Sequence, residues 1–249
     1  MKELIVRGQG PTWVLIHGSA SDASTWAGVV ARTKDRRLVT YDRPGYERTG
    51  PRAADLPEQL DRLEAVVASC EEPPLLIGAS FGAVVALEWA RDASRSVRGL
   101  VLIEPPLPEG PGAPPRPHDF LGRMQQLQIR DPEAAGLFFL EQVLDPGAFE
   151  AMPAPFRRRA ARSIEGITGD CQALLEHTAD FEGLRSLDLE TLLVGGGRSL
   201  ASYGRTLDAL ESRLSRARRI QLPDAGHMAY SDDPEAFLEG VRQFEAELR

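Results

Sequence analysis

Short apolar runs alternate with stretches of helical periodicity along this chain. The runs Leu4–Arg7, Trp13–Ile16, Arg37–Tyr41, Pro74–Ile77, Gly99–Ile103, Thr191–Val194 and Arg218–Leu222 predict strands. Several are near-continuous Val, Ile and Leu, as suits a strand covered on both faces. Between them, Ala23–Arg32, Pro57–Ser69, Phe81–Arg91, Tyr203–Leu214 and Pro234–Leu248 predict helices. In the last, Phe237, Val241 and Phe244 recur at helical spacing with charge on the other side. The alternation predicts an α/β fold, a mostly parallel central sheet flanked by helices.

Between Pro105 and Asp188 the rhythm changes. Seven prolines from Pro105 to Pro117 open the interval, and such a stretch is neither helix interior nor central strand. Helical segments follow at Phe120–Ile129, Pro132–Leu144, Pro155–Ile164 and Cys171–Phe181, with no convincing strand. The expected organisation is a core of residues 1–104 and 189–249, with residues 105–188 inserted as a helical cap or lid entered through the proline-rich hinge. Six of the nine phenylalanines fall in this interval. They read either as an apolar roof over a substrate pocket or as the small core that any helical layer needs, and the two are compatible. Phe138 and Phe139 are the candidate substrate contacts.

Gly78-Ala79-Ser80-Phe81-Gly82 follows a predicted strand and opens a predicted helix. This is G-x-S-x-G in a strand–turn–helix context, where small neighbours permit a strained turn that lifts a serine hydroxyl above the sheet edge. A serine needs a base to accept its proton. Of the four histidines, His227 lies between the final strand and the final helix, on a loop at the carboxyl edge of the sheet where Ser80 must also lie. His17 reads as a turn residue; His118 lies in the hinge and His177 in a cap helix. An acyl-transfer intermediate also needs N–H donors for its oxyanion, for which the N–H groups of Phe81 and Ser19 are the candidates.

Composition narrows the partners. Lys plus Arg number 29 against 37 Asp plus Glu, a net charge of −8. An acidic chain argues against nucleic-acid binding, which favours a basic surface. The interval Pro105–Asp188 holds 8 Arg and 13 Asp plus Glu, a net −5 that disfavours large polyanionic substrates. Within it, Arg157-Arg158-Arg159 and Arg162 form a basic cluster, readable as a phosphate holder or as a solvated helix face. Cys70 and Cys171 read as reduced structural thiols, and no Cys–His spacing suggests a metal site. No apolar run approaches the ~18 residues of a membrane span, and no signal-peptide core is visible. A soluble, cytoplasmic protein without metal or organic cofactor is expected.

Together His17-Gly18-Ser19, Tyr41-Asp42-Arg43-Pro44-Gly45, Gly78-Ala79-Ser80-Phe81-Gly82 and Ala225-Gly226-His227-Met228 resemble the α/β-hydrolase fold superfamily, in the family's order and with a cap where the family often inserts one. The resemblance implies a Ser–His–acid triad. The family's usual acid follows the strand after the cap, but here that strand runs into Gly195-Gly196-Gly197-Arg198-Ser199 with no carboxylate. Glu104, which ends Gly99–Ile103, is preferred instead, in the manner of the serine-hydrolase branch whose acid follows the strand preceding the cap. Asp224, on the His227 loop, stays open as the alternative. The short N-terminal stretch implies a sheet one strand shorter than is usual in the family.

The implied activity is hydrolysis of a small carboxylic ester or lactone with an apolar acyl part, through an acyl-enzyme on Ser80. Thioester hydrolysis is the alternative, and a non-catalytic ligand-binding protein of this fold is the alternative of another class. Serine at position 80 argues against a dehalogenase, whose chemistry needs a carboxylate nucleophile.

Overall fold

The computed structural model describes residues 4–46, 52–92 and 96–248. Seven strands form one sheet: β1 (Ile5–Arg7), β2 (Thr12–Ile16), β3 (Arg37–Thr40), β4 (Leu75–Ala79), β5 (Gly99–Ile103), β6 (Thr191–Gly196) and β7 (Ala217–Leu222). Their order across the sheet is β1-β3-β2-β4-β5-β6-β7. Only β1 runs antiparallel, pairing Ile5 with Thr40. Every residue of β2, β4, β5 and β6 is buried, which is why these runs read as continuous apolar stretches and not as alternating ones.

Alternation still decides which side each residue feeds. Val14, Ile16, Leu76, Leu100 and Leu102 pack on one face with helices α2 (Leu56–Val67), α3 (Phe81–Ala90) and α9 (Ala201–Glu211). Trp13, Leu15, Leu75, Ile77, Val101 and Ile103 pack on the other with α1 (Ala27–Arg32), the short α10 (Ala229–Asp232) and α11 (Pro234–Ala246). The predicted helix Ala23–Arg32 is divided, a 3₁₀ turn at Ala23–Trp26 preceding α1, whereas Pro234–Leu248 is one helix, α11, with the short unpredicted α10 before it. No helix among the described residues is long and apolar enough to cross a membrane.

Five helices lie between β5 and β6: α4 (Leu121–Arg130), α5 (Pro132–Val143), α6 (Pro146–Ala151), α7 (Ala154–Arg162) and α8 (Ile164–Glu176). They share an apolar cluster of their own, in which Met124, Phe139, Leu140 and Ile167 pack with Tyr46 of the sheet-edge loop. Asp131, Asp145 and Asp233 cap α5, α6 and α11 through side-chain oxygens, each followed by a proline in the first turn. That Asp-Pro signal marks α6, which periodicity alone does not predict because the helix is only six residues long. The predicted segment Cys171–Phe181 is shifted: α8 starts at Ile164 and stops at Glu176. Gly166 and Gly169 weaken the helical signal there but serve packing. A Cβ on Gly169 would lie 2.7 Å from the Ala54 nitrogen, and one on Gly166 2.6 Å from the Gly45 oxygen.

Two glycine substitutions therefore have opposite signs. Gly169→Ala forces α8 off the core and costs about 1–3 kcal/mol. Gly28→Ala, in α1, meets nothing nearer than the flexible Arg32 side chain at 3.8 Å. It gains about 0.5–1 kcal/mol from helix propensity. Urea unfolding of the two variants checks both signs.

Candidate active site

Ser80 sits between β4 and α3 with φ 52° and ψ −123°, backbone angles that a side chain normally avoids. Its N–H donates to the Ile103 oxygen at 2.8 Å, anchoring the turn to β5. Neighbouring glycines make the turn possible by close approach. A Cβ on Gly82 would come within 2.4 Å of the Ile16 oxygen, and one on Gly78 within 2.4 Å of the Gly82 oxygen. The same crowding holds at Gly18, where a Cβ would lie 2.9 Å from that of Ser80. The loop after β2 is thereby pressed against the serine, and the Phe81 N–H, at the first position of α3, has no partner within the helix.

His227 follows β7 and is buried; its Nδ1 lies 2.7 Å from Glu104 Oε2. A carboxylate only accepts hydrogen bonds, so Nδ1 carries the proton and Nε2 is left as the basic atom. Glu104 accepts two further bonds, from the Gly196 N–H at 2.8 Å and the Ser199 hydroxyl at 2.9 Å. Its backbone is also left-handed, with φ 42°. The end of β6 and the turn after it thus hold Glu104 from the neighbouring strand. The His227 ring stacks on Tyr203, with centroids 4.2 Å apart and planes 17° from parallel. Asp224 is exposed, and the partner of His227 Nδ1 is Glu104.

Ser80 and His227 line one cavity of about 610 Å³, counted out to its open mouth, whose walls include Ser19, Phe139, Leu140, Met152 and Tyr230. A second lobe of about 390 Å³ shares Ser19, Ser80, Phe139 and Val143 with it. Phe139 faces both lobes. Phe138 does not line either one: one residue further round α5, it packs edge-on to Phe120 at 6.4 Å beneath the Arg123 guanidinium. Of the basic cluster, Arg157 donates to the Phe149, Glu150 and Met152 carbonyls at the end of α6, and Arg159 pairs with Asp22 at 3.1 Å. His118 bonds its own turn, and His177 lies 3.3 Å from Glu88. Cys171 lines the second lobe, where burial and then the neighbouring Asp170 push its thiol well above the usual range, keeping it protonated. Cys70 is likewise pushed up by burial.

A buried polar network supports the floor of the site. Arg43 donates to both Asp170 oxygens, at 3.1 and 2.7 Å, and the two side chains are 0% and 1% exposed. Asp170 Oδ2 also accepts from the Ser19 hydroxyl at 2.7 Å and the Tyr46 hydroxyl at 2.6 Å. On the other side, the Arg43 N–H donates to His17 Nε2 at 2.9 Å, so His17 Nδ1 donates to the Gly18 oxygen at 2.8 Å. Burial first, then Arg43, holds the His17 pKa well below the ordinary histidine value, keeping this tautomer neutral. Arg43 lies in the quoted Tyr41–Gly45 motif, but nothing in the sequence pairs it with Asp170. Nor does periodicity distinguish Ser199 or Tyr203 as neighbours of the Glu104–His227 pair.

The sequence pattern of the alpha/beta hydrolase family matches residues 13–239. The chain belongs to that family. A pimeloyl-[acyl-carrier protein] methyl ester esterase of Methylococcus capsulatus is 33% identical over 227 residues, covering 88% of this chain and 82% of that protein. One from Nitrosomonas europaea is 28% identical, over 93% and 94% of the two chains. The crystal structure of the enol-lactonase from Burkholderia xenovorans LB400 superposes with a TM-score of 0.83 over 98% of this chain and 96% of that one; at 19% identity this likeness speaks for the fold alone. With esterases among its relatives, this member of the hydrolase family is an ester-cleaving enzyme.

The buried Arg43–Asp170 pair generates a stability prediction. Asp170→Asn leaves a guanidinium buried without its counter-charge and costs about 3–5 kcal/mol. Glu109→Gln, which breaks the solvent-exposed bidentate pair with Arg205, costs far less. Urea unfolding of the two variants beside the parent measures the contrast.

Proposed function

We propose that this enzyme is a serine hydrolase that cleaves a small carboxylic ester or lactone with an apolar acyl part through an acyl-enzyme on Ser80. The observation that carries the reading is the His227 ring, held by Glu104 at 2.7 Å and lining the same cavity as a serine on a strained turn. Residues 105–188 act as a cap over the core of residues 1–104 and 189–249, and Phe139 supplies acyl contact from the cap side. No step calls for a metal or organic cofactor.

In the first half-reaction Ser80 Oγ attacks the ester carbonyl while His227 Nε2 takes the hydroxyl proton. The carbonyl electron pair moves to oxygen, where the Ser19 and Phe81 N–H groups receive it. Collapse of the tetrahedral intermediate breaks the bond to the leaving oxygen, which takes the proton from His227. In the second, His227 removes a proton from water, the resulting oxygen attacks the acyl carbon, and Ser80 departs with that proton restored. Glu104 holds the imidazole in the reactive tautomer and stabilises the imidazolium.

The two relatives are methyl ester esterases, and this favours an oxygen ester over a thioester as the bond cleaved here. A parallel panel of p-nitrophenyl esters, lactones and acyl thioesters tests the reading in steady-state kinetics. Ser80→Ala is expected to lose at least about 10³-fold, and Glu104→Gln roughly 10³- to 10⁴-fold with the fold retained. Asp224→Asn, on the exposed loop, stays within about twofold. Turnover that survives Ser80→Ala, or a severe loss in Asp224→Asn with a mild one in Glu104→Gln, contradicts the assignment.

A further inference from the structure

Of the residues lining the two lobes around Ser80, one carries a guanidinium. Arg116 stands near the end of the proline-rich segment and lines the smaller lobe together with Ser19, Ser80 and Tyr203. Its guanidinium lies 4.8 Å from the centre of the Tyr203 ring, the ring that stacks on His227. Asp119, three residues on, is exposed, and the other two acids near in sequence are engaged elsewhere. Glu104 is bound by His227, Gly196 and Ser199, and Glu109 pairs with Arg205 at 2.6 Å.

The donors left over have a definite geometry. Arg116 Nε and Nη2 are both buried, and no protein acceptor reaches either. These two nitrogens form one edge of the guanidinium fork, with N–H bonds running side by side. That edge matches the two oxygens of a carboxylate. Around it the lobe is apolar, walled by Pro106, Phe120, Phe139 and Leu174. A buried donor without an acceptor is costly, and apolar walls strengthen whatever ion pair forms there.

We propose that Arg116 is a specificity-determining residue that grips a carboxylate at the far end of the acyl group, making half-esters of dicarboxylic acids the preferred substrates. The acyl chain runs from Ser80 into the smaller lobe towards Arg116, and the leaving alcohol occupies the larger one. This deepens the reading of Ser80 as the site of cleavage and rests on it. It also accommodates the net −5 of Pro105–Asp188: an acidic surround disfavours polyanions, whereas one carboxylate meets one guanidinium inside an apolar lobe.

Calorimetric titration of the Ser80→Ala protein tests the anion site without turnover. The ligands are a dicarboxylic acid monomethyl ester and the uncharged methyl ester of the same chain length. The charged ester is expected to bind at least about tenfold tighter, the scale of a bidentate ion pair. Adding Arg116→Gln brings the ratio of the two affinities to near one, and Arg116→Lys, which keeps the charge and loses the fork, restores part of it. Equal binding of the two esters, or a ratio that survives Arg116→Gln, overturns the proposal. If Arg116 merely supported Tyr203 and His227, Arg116→Gln would weaken both ligands together and leave the ratio intact. The p-nitrophenyl counterparts, measured on otherwise unaltered enzyme, separate the two readings. Absence of hydrolysis with an intact affinity ratio defeats the esterase reading alone; hydrolysis with no charge preference defeats the Arg116 proposal alone.

Discussion

The backbone of Ser80 is the constraint on which the rest of the site depends. At φ 52° and ψ −123° the residue is held in a conformation that costs of order 1–3 kcal/mol. Packing enforces it: α3 docks so closely that Gly82 lies against the Ile16 and His17 carbonyls, and the Ser80 N–H is tied to β5. Ala20, Ser80 and Glu104 are the non-glycine residues with positive φ among those described. Ala20 and Ser80 line the cavity, and Glu104 holds the histidine that lines it. Strain is therefore concentrated where the sheet's carboxyl edge meets the cavity, and the surrounding apolar core offsets it.

The Arg43–Asp170 pair performs a different task. A buried ion pair contributes little net stability, because desolvation offsets most of its attraction. Its value lies in position. Asp170 belongs to α8 of the helical layer, while Arg43, Tyr46 and Ser19 belong to loops of the sheet. One carboxylate thus fixes the height of the helical layer over the loop that carries the Ser19 N–H. Gly166 and Gly169 allow the approach that brings Asp170 within reach.

The seven strands, the parallel sheet and the Ser80 turn were legible because each is a local pattern: apolar runs of strand length, or small residues around a serine. Glu104 was legible in part, through its place after β5. The bonds that hold it, from Gly196 and Ser199, were not, since they depend on two strands lying side by side and no local pattern reports that. Phe138 and Phe139 show the same limit within one helix. Both are apolar, adjacent and packed on Phe120, and only the rotation of α5 against its neighbours turns Phe139 to the cavity and leaves Phe138 outside it. Asp170 was hidden by two glycines that weaken a helix signal for reasons of packing.

Covalent trapping tests the central claim most directly. The folded protein is exposed to a fluorophosphonate, and the modified peptide is identified by mass spectrometry. The account predicts a single adduct on Ser80. An unmodified Ser80 in folded protein, or an adduct carried by another residue, would contradict it.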